Sequence, residues 1–104
     1  MIDAGIITAI KRVVSSALPA NEIVLFGSRA TENASPDSDY DILILTPLKL
    51  TPREKLPLRT KIRKALLEYG LLSDILIQNQ EEAQEKRALP GHIVRAALSE
   101  GITL

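Results

Sequence analysis
Apolar residues along the 104-residue chain fall into two rhythms. Ile6, Ile7, Ile10, Val13, Val14 and Ala17 recur at intervals of three and four, which predicts an amphipathic helix over residues 3–18, ended by Leu18-Pro19. Ile23 to Phe26 and Ile42 to Leu45 are instead short unbroken apolar runs bounded by turn residues, the pattern of strands in a covered sheet. Thr51-Pro52-Arg53-Glu54 combines a capping box with proline at the first helical position. The helix it starts carries a stripe of Leu58, Ile62, Ala65, Leu66 and Tyr69 and stops at Gly70, with Pro57 expected to perturb its early turns. Leu71 to Ile77 reads as a third strand. Glu81 to Ala88 reads as a charged helix with a solvated face, broken at Pro90-Gly91. From His92, a helix-start residue, the spacing of Ile93, Val94, Ala97 and Leu98 predicts a last helix ending at Gly101, with Ile102-Thr103-Leu104 as a short edge strand. This order predicts an α+β fold: a small mixed β-sheet with helices packed on one face and the other face left for substrate.

The loop between the first two strands carries the chemistry. Asp39 and Asp41 stand at i and i+2 on the edge of the second strand, so their side chains share a face, with Tyr40 turned away. Their Cβ atoms are then roughly 6 to 7 Å apart. Like charges at that range raise one another's pKa unless a cation sits between them. At the end of the first strand, Gly27 lets the backbone turn tightly, and Ser28-Arg29-Ala30 can start a short helix whose N–H groups face outward. Asn33, Ser35, Pro36 and Asp37 are the usual loop formers. Backbone N–H groups, a hydroxyl and a guanidinium suit a polyphosphate; Arg29 either adds charge there or pairs with Glu32 or Asp37 on the surface.

Composition narrows the choices. Thirteen basic and thirteen acidic residues cancel, which disfavours non-specific nucleic-acid binding. One Phe and two Tyr are too few for a base-stacking platform. The absence of Cys excludes disulfides and thiolate metal sites, and a single His makes a poor metal or triad candidate. Residues 1–14 show no basic leader, and Lys11-Arg12 interrupt their apolar positions, so a cytoplasmic protein without a membrane span is expected. The length suits one domain over residues 1–104. Asp37, Asp39 and Asp41 imitate an EF-hand start, but Ile42 stands where its glycine belongs and Leu48 where its closing glutamate belongs. Gly27 is not part of a P-loop, and no nucleophile elbow is present.

Gly27-Ser28, ten intervening residues and Asp39-Tyr40-Asp41 resemble the Gly-Ser…Asp-x-Asp signature of the DNA polymerase beta-like nucleotidyltransferase superfamily. More narrowly, the chain is similar to the minimal nucleotidyltransferases, the antitoxin partners of HEPN-type toxins. Asp74, in Leu72-Ser73-Asp74-Ile75-Leu76-Ile77, matches the third carboxylate of that family in kind and context. The resemblance implies the polymerase beta-like nucleotidyltransferase fold and transfer of AMP from ATP to a hydroxyl, a tyrosine of a partner HEPN-type toxin, in the manner of a type VII-like antitoxin. It further implies two Mg²⁺ ions held by Asp39, Asp41 and Asp74, with Asp74 on the acceptor side orienting or deprotonating the hydroxyl. Gly27 and Ser28 would cradle the β- and γ-phosphates, with Arg29 adding charge. Two alternatives stand beside it: a non-catalytic antitoxin of the same fold, and transfer to a small molecule or RNA end with a second subunit completing the pocket.

Overall fold
The computed structural model of the chain describes residues 3–30, 35 and 38–104. The predicted loop formers Asn33, Pro36 and Asp37, and Glu32 and Asp37 as partners of Arg29, lie outside them. The first helix, α1 (Ala4–Ala17), begins where Asp3 Oδ1 accepts the amides of Gly5 (2.7 Å) and Ile6 (3.2 Å), a cap worth about 1 kcal/mol. Strand β1 (Glu22–Phe26) follows, then a 3-10 turn over Gly27–Ala30 and strand β2 (Tyr40–Leu45). Helix α2 (Pro52–Glu68) opens on the expected Thr51/Glu54 capping box. It runs unbroken through Pro57. Pro57 and Arg53, whose carbonyl loses its partner there, are both exposed, so water can take the released bond.

Strand β3 (Ser73–Gln78) is followed by α3 (Gln80–Arg87), capped by Asn79, and α4 (Ile93–Glu100), capped by His92, whose Nδ1 accepts the Val94 amide at 3.1 Å. The expected edge strand forms as β4 (Ile102–Thr103). The sheet order is β3-β2-β1-β4. β2 and β3 run parallel, joined by the α2 crossover, while β1 pairs antiparallel with both β2 and β4. The mixed sheet and α+β class are therefore as expected.

The placement of the helices differs. Ile23 and Leu25 of β1 join Ile42, Ile44, Ile75 and Ile77 in a core closed by Ile10 and Val14 of α1 and by Ile62 and Leu66 of α2. Val24, Phe26 and Leu43 point the other way, into a second cluster with Ala83 of α3 and Val94 and Ala97 of α4. Helices thus flank both faces rather than one. The reason lies in the strands: Ile23 to Phe26 of β1 are all buried, and a strand apolar on every position needs cover on both sides. Two residues placed on apolar stripes also stand out in solvent. Tyr69 is 52% exposed, just past the end of α2, and Ile93 is 51% exposed at the start of α4.

Candidate active site
The second face is left uncovered at the ends of the strands, where the chemistry gathers. Asp41 lies directly opposite Asp74 in the parallel β2–β3 register and opposite Phe26 in the antiparallel β1–β2 register. Neighbouring strands are about 4.8 Å apart, so the Asp41 and Asp74 side chains rise side by side from one face. Asp39 precedes β2 by one residue. Residues 33 and 35 positions apart in sequence from Asp74 are in this way brought beside it by strand pairing alone. The three carboxylates interact: the Asp41 carboxyl titrates above the usual 3.8, first because it is partly withdrawn from water, then because Asp74 and Asp39 repel its charged form. Asp39 and Asp74 are exposed and Asp41 is half-buried. Among the described residues, no three acidic or histidine side chains are gathered at metal-ligand spacing, so the carboxylates form an open fan rather than a closed cage.

Gly27 forms the other wall. Its φ is +73°, a conformation that side chains disfavour, and a Cβ built there would overlap Asp41 Oδ2. The glycine turn and the Asp41 carboxylate therefore occupy touching space, and a residue with a Cβ at position 27 would displace Asp41. Ser28 and Arg29 follow within the same 3-10 turn. Arg29 has a definite seat: its Nε donates to the Ser38 carbonyl at 2.9 Å, and its guanidinium lies 4.4 Å from the centre of the buried Tyr40 ring. Arg29 thereby ties the turn to the start of β2, between Asp39 and Asp41. Tyr40 on the core face and the two aspartates on the other are the alternation expected of the strand.

A groove of about 390 Å³ opens on the far flank of the carboxylates, between α2 and the start of β3. Asp39 and Asp74 line it, together with Arg63, Lys64, Leu67 and Leu72. Sequence reasoning left α2 as a packing helix and passed over Arg63 and Lys64. The available signal was its basic excess, Arg53, Lys55, Arg59, Lys61, Arg63 and Lys64 against Glu54 and Glu68.

The nucleotidyltransferase domain model matches residues 7–103. The chain belongs to the nucleotidyltransferase domain family. It is a nucleotidyltransferase, and the Gly27 turn and the three carboxylates lie inside the matched span. Among solved structures, this nucleotidyltransferase is similar to a chain of a crystal structure of a toxin-antitoxin with AMP-PNP, with TM-score 0.65 and 21% identity over 92% of this chain and 69% of that one. That likeness is one of fold. No curated protein matches the chain significantly. Among the described residues no helix is long and apolar enough to cross a membrane.

Proposed function
We propose that this nucleotidyltransferase moves AMP from ATP to a hydroxyl on a partner protein, a tyrosine of a HEPN-type toxin, and so acts as an antitoxin. The observation that carries the reading is the convergence of Asp39, Asp41 and Asp74 beside the Gly27 turn within a nucleotidyltransferase domain. The similarity to a toxin-antitoxin chain studied with AMP-PNP supports both the nucleotide and the kind of partner.

The donor set suits a hard cation: three carboxylates, the Asp41 carboxyl raised in pKa by burial and by repulsion from the other two, in a chain without cysteine. Asp39, Asp41 and Asp74 would hold two Mg²⁺ ions. When bound, magnesium supplies neutralisation of the triphosphate and a lowered pKa for the acceptor hydroxyl. The chain's own groups do the rest. The Gly27–Ser28 amides receive the β- and γ-phosphates, while Arg29 holds the turn and the aspartate segment in one geometry. Asp74 takes the hydroxyl proton as the acceptor oxygen bonds to the α-phosphorus; the α–β bridging bond breaks, and pyrophosphate leaves with its electron pair.

Calorimetry with ATP and Mg²⁺, and transfer of label from ATP to the product of the neighbouring reading frame, test this. Wild type should bind ATP only with Mg²⁺ and label the partner; the Asp39→Asn, Asp41→Asn protein should do neither. Equal labelling by both proteins rules out these carboxylates as the machinery. Protection against the toxin by the double variant would instead mark a binding module without catalysis.

A further inference from the structure
The nucleotide accounts for the glycine turn but not for the groove on the opposite flank of the carboxylates. Of the proposed site residues, Asp39 and Asp74 line the groove, whereas Gly27 and Ser28 do not. We propose that this groove is the acceptor subsite, and that it selects a tyrosine-bearing protein segment with acidic residues flanking the reacting hydroxyl. The inference rests on the protein-acceptor reading above and adds to it the sequence context the acceptor must have.

Three chemistries meet in the lining of the groove. Asp39 and Asp74 supply carboxylates, beside which a hydroxyl would react. Leu67 and Leu72 line the apolar part although they are 55% and 56% exposed, leaving apolar surface in water that an aromatic ring would cover. Arg63 and Lys64 line it as well, both exposed, and neither makes an ion pair with another described residue. They belong to a helix whose basic residues outnumber its acidic ones six to two, in a chain whose total charge is zero. The positive field is therefore local to this wall, where it can receive acidic side chains held next to the tyrosine and offset their repulsion from Asp39 and Asp74.

A groove near 390 Å³ falls within the roughly 300 to 1,000 Å³ of ordinary ligand clefts, enough for one side chain and its neighbours but not for a folded surface. Nucleic acid is the weaker fit. Among the described residues, no aromatic side chain lines the groove to stack a base.

The test uses the full chain, labelled ATP and Mg²⁺, with synthetic peptides that each carry one tyrosine flanked by Asp/Glu, by Ala or by Lys. Wild type should label the acidic peptide at least about tenfold more efficiently than the lysine peptide, with the difference in KM rather than kcat, since like charges in contact cost more than the 1.4 kcal/mol behind a factor of ten. Arg63→Glu, Lys64→Glu, at two exposed positions, should reverse that order, so that the variant's own labelling of the lysine peptide shows it to be folded and active. Equal use of all peptides by wild type, or an unchanged acidic preference in the variant, overturns the inference. So does magnesium-dependent ATP binding without labelling of any peptide. Failure to bind ATP with Mg²⁺ at all would overturn the nucleotidyl-transfer reading as well.

Discussion

At Gly27 two constraints meet in one residue. Gly27 and Gly70 share nearly the same backbone, φ +73° and +78°, but a Cβ at Gly70 would meet nothing within 4 Å, whereas one at Gly27 would overlap Asp41 Oδ2. Gly70→Ala thus measures the left-handed backbone alone, about 1–2 kcal/mol, or some 4–8 °C in Tm per kcal/mol for a domain of this size. Gly27→Ala should lower Tm further and, by pushing Asp41 aside, abolish magnesium-dependent ATP binding that Gly70→Ala retains. Thermal unfolding and calorimetry on the pair check this. Asp41 makes a prediction of its own. Its folded pKa is raised by burial, then by Asp74 and Asp39, so between 3.8 and that raised value the folded state holds a proton the unfolded state has lost. Stability contributed at low pH is then lost as pH rises through the folded pKa. Asp41→Asn removes the repulsion and should have the higher Tm at pH 7, with the gap closing as pH falls towards 4. Mg²⁺ should raise the Tm of wild type more than that of the variant.

Elements are joined across the molecule by an interaction that no local pattern announces. Lys55, buried in the first turn of α2, donates to Glu82 Oε2 of α3 at 2.7 Å, while Glu82 Oε1 accepts the Asn79 amide in the α3 capping box. Partial burial pushes the Glu82 carboxyl up, but the Lys55 bond, the Asn79 amide and the charges of Lys55 and Lys86 outweigh it, and the pKa falls below the ordinary 4.5. The sign is opposite to that of Asp41: this stability is present above 4.5 and lost as pH drops through the lowered folded value. Lys55→Met should cost about 2 kcal/mol at pH 7, the worth of a charged hydrogen bond. Its deficit in urea midpoint relative to wild type should shrink below pH 4. The helix ends themselves were readable: Thr51 and Glu54 stand three apart before an apolar stripe, and they form the box that this spacing predicts. The charged helix over Glu81 to Ala88, read as a solvated face, does expose most of its residues. Its Ala83 and Glu82 nonetheless hold it to the second face of the sheet and to α2.

For the molecule as a whole, the sheet order determines what is exposed. β1 lies between β2 and the two-residue β4, and the Leu104 backbone N–H donates a hydrogen bond to the Ile23 carbonyl at 2.8 Å. Removing residues 101–104 would leave the apolar β1 as an open edge, and unpaired edges of that kind invite pairing with other chains. The shortened protein should self-associate at concentrations where the full chain does not, as light scattering would show. The same order puts β3 at the other edge, which is why its first residues are reachable from the α2 groove.

Local rules were enough for much of this. Periodicity of three and four, all-apolar runs and capping boxes act within a few residues, so the helices, the strands, the glycine turn and the same-face pair Asp39 and Asp41 follow from the sequence by itself. Asp74 could be nominated from Leu72 to Ile77, but nothing local states that β3 pairs parallel with β2 in the register that sets it opposite Asp41. The side of the sheet chosen by α3 and α4, the Lys55–Glu82 bond across 27 residues, the seat of Arg29 on Tyr40 and the basic-walled groove were likewise left to the tertiary structure. Each depends on which surfaces compete to be buried against which. That competition is settled by packing over the entire chain, where sequence neighbours have no privileged say.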